Sequence, residues 1–278
     1  MASAGGRVVF LTGAAGGIGR VMTAALLAAG HSVAAVDRDA KALDRLMADH
    51  GAAKDRLHPI IVDLATAAGC ASAIAGARAR FGVIEAVINN AGIGMSSVRP
   101  DAEARAPTIE ELTPEIWDRF MAIFVRAPLM LVRAALPDMK KNGFGRIINN
   151  TTSYVTMLRV QPYGSAKAAL ESMSAVWAKE LDGSGITVNV LVPGGPTDTP
   201  LIADASGWPR DKMLRPEIMG PPTAWLVSDE AKNFSGRRIT AARWDKNLPP
   251  AEAAARSSRA IGWPELSADA VWLTGGKS

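Results

Sequence analysis

The chain has 278 residues, a formal net charge of +4, and 48% hydrophobic against 21% charged residues. That length can bury a substantial core in one large α/β domain or two small ones, and the balance is that of a globular chain, not a disordered one. The positive excess is thin: Arg237, Arg238 and Arg243 form its one local cluster and, with no nucleic-acid motif beside them, read as solvated surface. The single cysteine, Cys70, has no partner for an internal disulfide, which fits a reducing cytoplasm. No signal peptide is expected ahead of the first strand, and no apolar run approaches the roughly 18 residues of a membrane span. His31, His50 and His58 are scattered, with no partners at metal-ligand spacing, so no metal is expected.

In chain order, continuous apolar runs predict strands over 7–11, 31–36, 59–62, 84–89, 146–150 and 186–192, with a seventh at 238–242. Helical patterns lie between them, over 17–29, 39–49, 66–81, 114–141 and 163–182. Strands without alternation are covered on both faces, so this order predicts an α/β fold: a doubly wound parallel sheet, Rossmann-like, in one domain over 1–245. Residues 193–222 break the rhythm with Pro, Gly and scattered apolar side chains, as a functional loop or lid does. The extension over 246–278 carries Pro249, Pro250, an Ala-rich helix candidate, Trp263 and Trp272. It is expected to pack on the domain or on a neighbouring subunit.

The first strand runs into "LTGAAGGIGR". Gly13, Gly17 and Gly19 permit a tight turn, close backbone approach to a pyrophosphate, and close packing of the following helix, whose N-terminus offers free N–H groups. Asp37 ends the second strand, where an acid can accept both ribose hydroxyls and would repel a 2′-phosphate; NAD is therefore expected over NADP. Arg38 is either a surface side chain or a contact to adenine or a 2′-phosphate. Asp63, ending the third strand, either contacts adenine or caps the next turn. The terminal "TGGKS" is not a phosphate loop, because Val271 stands where the first glycine is needed and no helix can follow.

Tyr163 and Lys167 are four residues apart, on one face of a helix. A nearby ammonium favours the phenolate, and such a tyrosine can pass a proton to or from an alcohol or carbonyl oxygen.

"TGAAGGIG", "NNAG", "YGSAK" and "PGGPTDT", in this order over roughly residues 5–245, resemble the short-chain dehydrogenase/reductase family. The resemblance implies that Tyr163 is the general acid/base and that Lys167 lowers its pKa and holds the nicotinamide ribose. It implies that Ser153 hydrogen-bonds the substrate oxygen. It also implies cofactor contacts from Ile18 and Leu64, from Asn89, Ala91 and Gly92, and from Pro193, Gly194 and Thr199. Two departures stand out. The family's serine precedes the tyrosine by about thirteen residues, whereas Ser153 precedes Tyr163 by ten, so Thr151 and Thr152 stay open. The relay asparagine of many members, seven residues after a tryptophan, is here Phe124, which neither donates nor accepts a hydrogen bond.

The implied activity is hydride transfer between NAD and a secondary alcohol or ketone. Met95, Met157, Leu158 and the apolar side chains of 201–219 suggest a moderately bulky apolar or aromatic substrate. Rival expectations are a nucleotide-binding sensor or scaffold without turnover, and an epimerase or dehydratase using transient hydride transfer. Neither a nucleic acid nor a membrane is expected as a partner. A homodimer or homotetramer is implied, with the face of Ala166, Leu170, Met173, Trp177 and Leu181 as one candidate contact.

Overall fold

Seven parallel strands form the frame in the computed structural model, which describes residues 6–265. They are β1 (Val8–Thr12), β2 (Ser32–Asp37), β3 (Leu57–Ile61), β4 (Ala86–Asn89), β5 (Gly145–Asn150), β6 (Ile186–Val192) and β7 (Arg237–Thr240). An eighth, β8 (Ser258–Ala260), adds antiparallel to β7, giving the order β3-β2-β1-β4-β5-β6-β7-β8. β5 and β6 are buried at every position, as their uninterrupted apolar character requires.

One face of the sheet is covered by α1 (Gly17–Ala28) and α2 (Ala40–Asp49), where Met22, Leu26, Leu43 and Leu46 pack on Val9, Leu11, Val33 and Ala35. The other face packs against α3 (Ala67–Phe81) and a long helix built of α4 (Pro114–Met121), a π-turn at Ala122–Arg126, and α5 (Ala127–Asn142). Cys70 lies buried in that layer, its thiol donating to the Leu64 carbonyl at 3.4 Å. The sequence reading found no apolar run of membrane length, yet Pro114–Asn142 is long and apolar enough by composition, with a mean hydropathy of 1.6 over an 18-residue window. Here it is a core helix: Leu131, Val132, Ala135 and Met139 are buried against α3 and the sheet.

A short α6 (Tyr154–Met157) and then α7 (Tyr163–Glu180) follow β5. The face expected to pair with a symmetry mate is largely used within the chain, since Ala166, Leu170 and Leu181 are buried. The loop expected over 193–222 holds three 3-10 turns and ends early, as α8 (Gly220–Val227) begins at Gly220. Beyond Asp245 the chain forms α9 (Pro250–Ser257) and β8, and Ile261 joins a core cluster with Val190 and Val192. The extension therefore packs on its own chain as far as it is described; Trp272 lies outside the described residues.

Candidate active site

The strand order reverses between β1 and β4, so the loops at their carboxyl ends diverge and leave a crevice. An open cavity of about 690 Å³ occupies that place.

Its nucleotide end is made by backbone. Gly13 has φ +62°, and a Cβ there would stand 2.8 Å from the Ala91 Cα. A Cβ on Gly17 would meet Thr199 at 2.5 Å, and one on Gly19 would meet the Gly13 carbonyl oxygen at 1.9 Å. These three positions admit no side chain, which brings the β1–α1 turn against both neighbouring loops. Gly16 caps α1 without a side-chain hydrogen bond, so the first N–H groups of that helix stay available to an anion. Ile18 lines the same wall.

Asp37 faces the cavity, half-buried, with Oδ2 accepting from the Ala15 amide at 3.1 Å and Oδ1 from the Asp39 amide at 3.2 Å. Arg38 is exposed at the rim. Asp63 and Leu64 also line the cavity; Asp63 closes a turn on the Ala65 amide at 2.9 Å, while Thr66 caps α3. Both alternatives weighed for Asp63 thus have geometric room. Ala91, Gly92, Pro193, Gly194 and Thr199 are lining residues too.

Asn89 is not. Its amide is buried and donates to the Asn149 side chain at 2.8 Å, because side chains alternate along β4 and position 89 points into the packed layer. The next residue, Asn90, faces the cavity and donates to the carbonyls of Thr12 and Gly13 at 3.1 Å, fixing the glycine turn. Sequence reasoning passed over Asn90; the two-residue period of a strand was the available signal.

Tyr163 and Lys167 enter the cavity from the first turn of α7. Lys167 is buried, donates from Nζ to the Asn150 carbonyl at 2.5 Å, and lies 5.7 Å from the Tyr163 ring centre. Phe124 is core filling, as expected, yet its ring also sits 4.4 Å from the lysine Nζ and packs edge-on against Tyr163 at 5.3 Å. The electrostatics differ from the sequence expectation. Burial pushes the Tyr163 phenol up to about 12, with a hydrogen bond to Thr152 pulling the other way, and burial pushes Lys167 down to about 7. Desolvation favours the neutral form of each, which acts against the attraction expected between them.

The three hydroxyls before α6 have separate environments. Thr151 is buried, donating to Glu171 Oε2 at 2.7 Å. Ser153 caps α6, accepting from the Thr156 amide at 3.1 Å and sharing a 2.8 Å hydrogen bond with the Thr156 hydroxyl. Thr152 lines the cavity together with Tyr163.

The far wall is apolar in part: Ile93, Met95, Val155, Val160, Leu201 and Trp208 line it. Met157 and Leu158, expected there, do not; the first is buried and the second 83% exposed. Met213 and Met219, also expected, are buried away from the cavity.

Residues 7–209 match the family model described as short chain dehydrogenase. The chain belongs to the short-chain dehydrogenase family. D-threitol dehydrogenase of Mycolicibacterium smegmatis is 31% identical over 243 residues, covering 83% of this chain and 89% of that protein. Among solved structures, the 3-ketoacyl-(acyl-carrier-protein) reductase of Brucella melitensis complexed with NADH superposes with a TM-score of 0.70 at 27% identity, over 83% of this chain and 94% of that one. A blue fluorescent protein from a metagenomic library, in complex with NADPH, gives 0.73 at 28% identity over 85% and 96%. Within this short-chain dehydrogenase the glycine turn and the Tyr163–Lys167 pair line one continuous cavity.

Proposed function

We propose that this short-chain dehydrogenase interconverts a secondary alcohol and a ketone with NAD as its cofactor. The observation that carries the reading is Tyr163 and Lys167 opening, from one helix turn, onto the cavity that the glycine turn and Asp37 enter from the other end. The residues fit the cofactor: three glycines leave no room for side chains where the pyrophosphate would approach, and Asp37 retains acceptor capacity for ribose hydroxyls. A bound nicotinamide supplies the hydride acceptor or donor.

The chain's own part is proton handling and orientation. As the phenolate, Tyr163 takes the proton of the alcohol oxygen, and as the phenol it returns that proton to the carbonyl oxygen. Thr152 donates the orienting hydrogen bond to that oxygen, because it lines the cavity with Tyr163 while the Ser153 hydroxyl is engaged by Thr156. Lys167, one turn on along α7, favours that phenolate when it carries its proton. Met95, Val155, Leu201 and Trp208 exclude water and favour a moderately bulky apolar or aromatic substrate.

The same reading has the protein working in the cytoplasm, where the Cys70 thiol stays reduced. It acts as a homodimer or homotetramer through outward apolar side chains such as Leu129 and Val176, 47% and 58% exposed. Following NADH and NADPH formation across diverse secondary alcohols tests it: NAD-linked oxidation of apolar alcohols is expected, and no reduction of either cofactor would overturn the reading.

A further inference from the structure

Arg238, read from sequence as solvated surface, is instead 5% exposed at its side chain and paired with Glu171, which is 0% exposed. Glu171 lies one turn beyond Lys167 on α7, and Arg238 lies on β7. The carboxylate draws several segments together. Oε2 accepts from Arg238 Nη1 at 2.5 Å and from the Thr151 hydroxyl at 2.7 Å, and Oε1 accepts from the Gly262 amide at 3.2 Å. The guanidinium divides its donors: Nη1 also reaches the Thr151 hydroxyl at 2.9 Å, and Nη2 donates to the Thr152 carbonyl. Tyr154 covers the group, its ring 4.3 Å from the guanidinium carbon. The Tyr154 hydroxyl donates to the Gly262 carbonyl at 2.7 Å, and its ring packs against Trp263 at 5.6 Å.

A buried ion pair is a poor way to gain stability, since apolar side chains of the same volume do as well or better. A planar fork does fix direction, because each donor must meet its acceptor in one orientation. Here the fork grips the Thr151 side chain and the Thr152 carbonyl. The Thr152 carbonyl is thereby tied down, while its side chain faces the cavity that Tyr163 lines.

We propose that Glu171 and Arg238, locked in place by Gly262 and Trp263, are positioning residues that hold the Thr151–Thr152 segment, and with it the Thr152 side chain, in the cavity that Tyr163 also lines. Turnover would then depend on the chain beyond residue 209, where the family match ends. The proposal rests on the oxidoreductase reading above.

Arg238→Lys keeps the charge and removes the fork; Tyr154→Phe leaves the ion pair and cuts the tie to Gly262. For both variants, kcat, KM, NADH affinity and the hydrogen exchange of amides 151–157 are measured. Both should exchange faster over 151–157, keep wild-type NADH affinity, and lose kcat more than they raise KM. A displaced catalytic group predicts a kcat loss on the order of 10- to 100-fold for Arg238→Lys. In a Thr152→Val background the same substitution should cost under about twofold, because its route to the chemistry is already gone. Should Arg238→Lys fail to fold, Tyr154→Phe in the two backgrounds carries the same comparison. Additive losses, or unchanged exchange over 151–157, overturn the positioning role while the oxidoreductase reading stands. Absence of wild-type turnover with every alcohol overturns both.

Discussion

Asp37→Asn isolates the charge that sets cofactor preference, with little change in shape. Asp37 ends β2 and holds the Ala15 and Asp39 amides with one oxygen each. Asparagine keeps one of these acceptors, and the Asp39 amide lies at an exposed site where water can replace the other. Hydrogen bonds to a charged acceptor are worth about 1 kcal/mol more than neutral ones, so NADH affinity should fall by about 5- to 10-fold. For NADPH the term has the opposite sign. Two like unit charges about 4 Å apart repel by about 1 kcal/mol in water and by about 4 kcal/mol near a protein surface. Relief of even the smaller figure strengthens NADPH by about 5-fold or more, so the two effects together should narrow the ratio of dissociation constants by about 25- to 50-fold or more. Titration of NADH and NADPH by fluorescence, with the melting temperature as a folding control, reads this directly. A ratio unchanged within about twofold would refute the assignment of selectivity to Asp37.

Thr152→Val should lower kcat by about 100-fold, as loss of one oriented donor does, and Ser153→Ala should cost little, since its hydroxyl serves Thr156; steady-state kinetics showing the reverse order would return the role to Ser153. Lys167 is pushed down to about 7 in the folded chain from an ordinary 10.5, so between those values the unfolded chain binds more protons and stability rises with pH. Tyr163, pushed up to about 12 from 10.0, opposes this only above pH about 10. Urea midpoints should therefore climb from pH 7 to 9.5 in the wild type and lose that climb in Lys167→Met; a flat wild-type profile contradicts the burial argument. Gly19→Ala places a Cβ 1.9 Å from the Gly13 carbonyl and 2.8 Å from the Ala14 Cα, both backbone, so α1 must retreat. Calorimetry should show NADH binding lost and a destabilisation of about 1–3 kcal/mol; retained NADH affinity would argue against a pyrophosphate at this turn.

The features legible in the sequence were those in which a short segment carries its own geometry. Gly13, Gly17 and Gly19 marked the tight turn, Tyr163 and Lys167 marked one helix face, and unbroken apolar runs marked strands covered on both sides. Boundaries moved by a residue or two, as at β3, which begins at Leu57 rather than 59. β8 was invisible because Ser258, Arg259 and Ala260 have no β-branched or aromatic character; its pairing with β7 creates the strand.

What sequence could not supply were partnerships between distant segments. Arg237, Arg238 and Arg243 look alike in a row of letters, but on β7 successive side chains take opposite faces, and only 238 meets the carboxylate of Glu171, 67 residues away. Tyr154 and Thr151 had no partner in sequence for the same reason. The proposed preference for Thr152 over Ser153 rests on a local competition that spacing does not show, since Ser153 is a natural helix cap and α6 begins just after it. Burial, finally, opposes the simple charge argument at Tyr163 and Lys167, and nothing in their spacing reports how little water reaches them.

The most direct test of the account is Tyr163→Phe, assayed for both nucleotide binding and turnover. Removing one oxygen leaves the edge-on packing with Phe124 in place, so folding and NADH affinity should match the wild type. Oxidation of an alcohol that the wild type accepts should fall by at least about 100-fold, the scale of a lost general acid/base. Undiminished turnover in a folded, nucleotide-binding Tyr163→Phe protein would contradict the claim that Tyr163 moves the proton.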